Sequence, residues 1–186
     1  MAVTSTMIPL GSIAPEFILP DTRTGQLVSL QELKSDIATV IMFLCNHCPY
    51  VKHIEKQLVE TALFYQKQGI HFIAISANDV LNYPQDGPLE MKLIAEKNNY
   101  SFPYLYDESQ VVAKDYQAAC TPDFFVFDKN LSCVYRGRFD DSTPGNNRPV
   151  SGQELKNALN HILANTPIDP NQQASMGCSI KWKKNA

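Results

Sequence analysis

The residues best equipped for chemistry are Cys45 and Cys48, three positions apart, with Asn46 and His47 between them. Ala38–Leu44 before them is an apolar run rich in β-branched side chains and reads as a buried strand. Val51, Ile54, Leu58, Ala62 and Tyr65 after them recur at helical spacing. The two thiols therefore stand at a strand-to-helix turn, where unpaired N–H groups and the helix dipole favour an anion and let a thiol ionise near neutral pH. A dithiol so placed suits reversible disulfide formation. A structural zinc site would need four ligands, and the chain carries no second C-x-x-C. Cys45, first out of the strand, is expected to be the more exposed thiol with the lower pKa, and so the attacking nucleophile. Cys48 is expected to be partly buried and to resolve the mixed disulfide. His47, as an imidazolium, is expected to stabilise the Cys45 thiolate and make the disulfide more oxidising. His53 reads as a helix-surface residue.

Stepping outward, the elements around this turn follow from periodicity and punctuation. Pro15–Pro20 and Gln26–Leu30 flank the turn Asp21–Gly25 and predict a hairpin. Ser29 and Glu32 have capping-box spacing for a short helix over Leu30–Lys34. The helix after Cys48 runs to Lys67, with Gly69 as its stop signal. Ile70–Ser76 is a second apolar strand, expected parallel to the first through that crossover. Helices are predicted over Leu89–Lys97, Gln110–Tyr116 and Gly152–Ala164, the last with Ser151 as N-cap. Pro103–Tyr106 is a short strand. Asp123–Phe127 and Ser132–Arg136 form an antiparallel hairpin across Asp128–Leu131. Residues 1–165 make one domain and residues 166–186 a Pro/Asn/Gln-rich tail packed on or near it.

This alternation predicts a mixed sheet covered by helices, with reactive groups at the carboxyl ends of its parallel strands. Gly11–Phe17, Cys45–Tyr50, Tyr83–Asp86, Phe102–Asp107, Cys120–Phe124 and Gly177–Trp182 together carry a resemblance. The chain resembles thioredoxin-fold proteins of the peroxiredoxin-like branch, related to alkyl hydroperoxide reductase and thiol-specific antioxidant. The resemblance implies an α/β thioredoxin-like fold: a mixed central β-sheet flanked by helices, with an N-terminal β-hairpin extension and a C-terminal tail. It also implies that Thr121-Pro122 is a cis-proline loop facing the dithiol, Thr121 offering its backbone to a bound substrate. His before the second Cys is also shared with disulfide isomerases and oxidases. Cys120 would lie near the Cys45 sulfur, as a third redox thiol or as a small buried hydrophobe. Cys178 is a second candidate, either swinging back onto Cys45 or pairing between subunits; packing of the tail by Ile180 and Trp182 is the alternative. Cys133 reads as structural.

The chain departs from better-known relatives in ways that bear on the reaction. Leu44 replaces the Trp that precedes the first Cys of thioredoxins, and only Thr39 is polar in a strand where they carry a buried Asp. Met42 stands where peroxiredoxins have Thr, their upstream Pro is missing, and Arg136 or Arg138 is left to supply the cation. The reading is a thiol–disulfide oxidoreductase that reduces or exchanges disulfides through Cys45 and Cys48, docking substrate at Thr121 and Pro122. The alternative is a thiol-dependent peroxidase with Cys45 peroxidatic, and a third is a Cu(I) carrier using Cys45, Cys48 and His47 or His53. The first two readings call for no metal and no cofactor. Expected partners are a protein disulfide or a peroxide, a cellular dithiol reductant, and a second copy of the chain in a homodimer.

Among 186 residues, 44% are hydrophobic, enough for a core that needs no disulfide staples. A net charge of −3 gives no field for nucleic acid or an anionic membrane. The first residues show neither a basic stretch nor a long apolar run, so a cytoplasmic protein is expected, where thiols stay reduced. Five cysteines, an odd number, fit reactive thiols better than a disulfide framework.

Overall fold

The computed structural model of the chain describes residues 2–184. In chain order it comprises β1 (Ala2–Thr4), β2 (Ile18–Pro20), β3 (Leu27–Ser29), α1 (Leu30–Leu33), β4 (Ala38–Phe43), α2 (Pro49–Gln66) and β5 (His71–Ser76). After a 3-10 turn at Pro84–Asp86 follow α3 (Pro88–Lys97), β6 (Tyr104–Tyr106), α4 (Val111–Asp115), β7 (Cys120–Thr121), β8 (Asp123–Asp128), β9 (Cys133–Gly137), α5 (Gln153–Leu163) and β10 (Met176–Ser179).

The central sheet has the order β6-β5-β4-β8-β9. β4 is apolar on both faces because both are covered. Val40 and Met42 enter a cluster with Val51, Ile54 and Leu58 of α2 and Leu155 and Leu159 of α5. Ile41 and Phe43 point the other way, into Phe17, Leu30, Ala113 and Tyr116. This alternation is the period-2 rule of a pleated strand, applied to a strand buried twice. β4, β5 and β6 run parallel, while β8 pairs antiparallel with β4 and with β9. The two edges therefore differ, and the sheet is mixed. The elements match a mixed central β-sheet flanked by helices, preceded by the β2–β3 hairpin.

Local chemistry sets the ends. Ser29 accepts from the Glu32 N–H at 3.3 Å while the Glu32 carboxylate accepts from the Ser29 N–H at 2.7 Å, a complete capping box on α1. Pro49 occupies the first position of α2, where its missing N–H leaves no bond unmade. That helix ends at Gln66, and Gly69 just beyond it takes φ +85°. At α5 the N-cap is Gly152, with φ +66°, rather than Ser151. The Ser151 hydroxyl instead accepts from the Gln153 N–H at 3.2 Å.

A second, three-stranded sheet, β1-β10-β7, lies outside the central one and went unread in the sequence. Within residues 166–186, the tail expected to pack on the domain, Met176–Ser179 forms the middle strand of this sheet. Val3 pairs with Gly177, and Cys178 with Thr121. Met176–Ser179 is thereby brought beside the dithiol.

Candidate functional site

β4 ends at Phe43, and the chain turns through Cys45–Cys48 into α2. Cys48 is the N-cap residue, so it stands at the positive end of the α2 dipole. Thr121, joined to Pro122 by a cis peptide bond, faces both sulfurs. Its hydroxyl lies 3.3 Å from Cys45 Sγ, and its carbonyl oxygen lies 3.1 Å from Cys48 Sγ, accepting from it when that thiol is protonated. A groove beside Pro122 is lined by Tyr50, Ile54, Pro122, Phe139, Ser142 and Met176.

The loop leaving β5 returns to cover the turn from the other side. Asp86, fully buried, accepts from the N–H groups of Asn46 at 2.8 Å and His47 at 3.2 Å through Oδ1. Its Oδ2 accepts from Asn78 Nδ2 at 2.8 Å and lies 2.5 Å from Nδ1 of His47. Tyr83 stacks on the His47 ring at 5.4 Å, and Lys181 Nζ stands 5.6 Å over the Tyr83 ring. Asn46 is fixed as well: its amide donates to Gln85 O at 2.8 Å and accepts from the Tyr104 hydroxyl at 3.2 Å. Tyr83, Asp86 and Lys181 entered the sequence reading only within segments that carry the resemblance, with no role assigned, and Asn78 not at all. Asp86 had a further signal, an acidic residue in a short turn after a parallel strand, where sites gather.

Both thiols are buried, Cys45 at 1% and Cys48 at 0% exposed, because Thr121 and the Asp86 loop close over the turn. The expected lower pKa of Cys45 runs against its surroundings. The Cys48 thiolate accepts a hydrogen bond from Cys45, is further favoured by Cys178 and the Val51 N–H against the cost of burial, and its pKa falls to about 5. Cys45, holding the proton of that hydrogen bond, buried, and facing the Asp86 carboxylate, is pushed up. His47 does not offset this, since its Nδ1, 4.0 Å from Cys45 Sγ, is engaged by Asp86.

The remaining candidates are placed as follows. Cys120 is fully buried beyond Thr121, its sulfur facing Pro122 O at 3.8 Å and Ser175 O at 3.9 Å; burial pushes its pKa up. Cys178 lies opposite Thr121 on β10 and packs against the cluster that holds both thiols, where it favours the Cys48 anion. Cys133 is buried at the start of β9, its sulfur against Tyr135 O. Neither proposed arginine reaches the thiols: Arg136 is clamped by Asp123, and Arg138 pairs with Glu154 at 2.7 Å. His53 turns to Ser142 at 3.2 Å. Among the described residues the donors that cluster within 4.8 Å are Cys45, His47 and Asp86. That set has one sulfur and a hard carboxylate already holding four donors, a poor match for Cu(I).

Comparison with known proteins agrees with this architecture. The AhpC/TSA family model matches residues 10–136, from the segment before the hairpin to the end of the central sheet. The chain belongs to the AhpC/TSA family. Within that family's reach, an uncharacterized conserved protein from Geobacillus kaustophilus has the same structure over 100% of this chain and 98% of its own, with TM-score 0.98 and 53% identity. The thiol–disulfide oxidoreductase ResA of Geobacillus thermodenitrificans (strain NG80-2) is 27% identical over 125 residues, 67% of each protein. The thioredoxin domain of a thiol–disulfide oxidoreductase from Bacteroides vulgatus covers 70% of this chain and 91% of its own at TM-score 0.58 and 20% identity. The fold of this AhpC/TSA protein is thus thioredoxin-like.

Proposed function

We propose that the protein is a thiol–disulfide oxidoreductase that reduces or exchanges disulfides through Cys45 and Cys48. The observation that carries the reading is that both sulfurs touch Thr121, the residue before the cis proline, at the start of a long helix. A substrate chain lying along the groove beside Pro122 brings its disulfide to Cys45, the less deeply buried thiol of the pair.

The thiol pair supplies its own base. The surroundings of the pair favour the anion at Cys48 and disfavour it at Cys45. As Cys45 Sγ attacks the substrate disulfide, its proton passes to Cys48, one substrate sulfur leaves as a thiolate, and a Cys45 mixed disulfide forms. The departing thiolate removes the Cys48 proton. Cys48 then attacks Cys45 Sγ, giving the Cys45–Cys48 disulfide and the second substrate thiolate. A cellular dithiol reverses these steps to restore the reduced pair. Asp86 and His47 hold the turn so that Cys45 faces Thr121.

Family membership favours one second reading, a peroxidase in which Cys45 is oxidised to a sulfenic acid and Cys48 condenses with it. Against it, the arginines are engaged elsewhere, and Met42 is buried in the sheet core. Reduced protein is mixed separately with hydrogen peroxide and with a disulfide-bonded protein, quenched at intervals, and its thiols mapped by mass. Faster formation of Cys45–Cys48 with the protein disulfide supports the oxidoreductase; faster formation with peroxide supports the peroxidase.

A further inference from the structure

Three thiols meet at this site, not two. Cys178 lies opposite Thr121 in the antiparallel β10–β7 ladder, so the two side chains leave the same face, about 5 Å apart at Cβ. The Thr121 hydroxyl on that face touches Cys45 and the Thr121 carbonyl oxygen lies 3.1 Å from Cys48 Sγ. Cys178 is packed against the core cluster that contains Cys45 and Cys48, and its presence favours the Cys48 anion. The close seating of β10 depends on Gly177: a Cβ there would stand 2.0 Å from the Thr121 carbonyl oxygen. Strand β10 therefore brings Cys178 to the dithiol as a fixed part of the sheet.

We propose that Cys178 is a third redox thiol, which attacks Cys48 in the oxidised pair and moves the disulfide to Cys48–Cys178, releasing Cys45 as a free thiol. The step rests on the oxidoreductase reading above, since it begins from the Cys45–Cys48 disulfide. It balances without any added oxidant. The Cys178 thiolate forms a bond to Cys48 Sγ, the Cys45–Cys48 bond breaks, and Cys45 leaves as a thiolate that takes up a proton. One disulfide is present before and after. Its consequence is an oxidised protein whose substrate-facing sulfur is again a nucleophile.

The geometry also times the step. In the reduced protein burial raises the Cys178 pKa to about 11, together with the Cys48 anion. Closing Cys45–Cys48 removes that charge, while the Lys181 ammonium still favours the Cys178 anion. Cys178 thus becomes more acidic once there is a disulfide to attack. Cys120, enclosed between Pro122 O and Ser175 O, has no such partner and serves as an internal control.

The test is a disulfide map of the full-length chain, oxidised by one equivalent of diamide, acid-quenched at intervals, alkylated and digested. Wild type is expected to give Cys45–Cys48 first and Cys48–Cys178 later, with Cys120 and Cys133 alkylated throughout. Cys178→Ser and Cys178→Ala should stop at Cys45–Cys48, and Cys45→Ser should close Cys48–Cys178 directly. Wild type that forms Cys45–Cys48 and never Cys48–Cys178 overturns this inference and leaves the oxidoreductase standing. Failure of Cys45–Cys48 to form in wild type and in both Cys178 variants overturns both.

Discussion

Asp86 Oδ2 stands 2.5 Å from Nδ1 of His47, and the same carboxylate accepts the backbone N–H groups of Asn46 and His47. One buried acid from the loop after β5 thus fixes the turn that carries both thiols. It also sets their electrostatics, because its negative charge disfavours a Cys45 thiolate.

Removing that charge should make Cys45 more acidic. In a Cys48→Ser background, which leaves Cys45 as the thiol of the pair, Asp86→Asn is expected to move the pH dependence of Cys45 alkylation to lower pH. No movement, or a rise, would contradict the assignment. Asp86→Ala should also destabilise the fold by about 3 kcal/mol, since buried donors lose their acceptor; a denaturant midpoint measures it.

The Cys48 thiolate carries a pH signature. Its pKa of about 5 lies below the ordinary thiol value of 9.0, so the folded state favours the anion. For a depressed pKa the stabilisation is complete above the unfolded value and lost as pH falls through the folded one. Stability of reduced wild type relative to Cys48→Ser should therefore grow as pH rises from about 5 toward 9. Denaturation midpoints across that window check it, and a difference constant with pH would refute it.

Gly177→Ala should loosen the dithiol from outside. The new Cβ would meet the Thr121 carbonyl oxygen, which is backbone and cannot rotate away. Overpacking of this kind costs about 1–3 kcal/mol. Cys178 alkylation should accelerate as β10 lifts from β7, while Cys133, on β9, should keep its wild-type rate.

Asp123→Ala tests the support beneath Pro122. Asp123 Oδ2 accepts from Arg136 at 2.7 Å, both side chains are fully buried, and Arg136 lies 3.8 Å over the Phe125 ring. Removing one partner strands a buried charge, which costs about 3–5 kcal/mol. The loss should appear as a lowered denaturant midpoint; an unchanged one would mean that Arg136 is not held as described.

The central sheet was legible because its strands are uniformly apolar and its helices carry apolar faces, so periodicity determines both. Thr121-Pro122 was legible through resemblance and Cys45–Cys48 through spacing. β1 and β10 were not legible: each is short, half-exposed, and made a strand only by partners far away in the chain. The relative acidity of the thiols was also beyond the sequence. It depends on Asp86, distant by 39 positions from His47, and on Cys178, brought in by β10. Position in the motif gives the order of the thiols along the chain, whereas the partners of each sulfur decide where the proton resides.

The most direct test of the central claim is to trap the first covalent step. Reduced Cys48→Ser protein, which lacks the resolving thiol, is incubated with a disulfide-bonded protein and mapped by mass, with Cys45→Ser alongside. A mixed disulfide through Cys45 that accumulates in the first variant and is absent in the second is the predicted result. An adduct that forms equally without Cys45, or no adduct in either, would contradict the account.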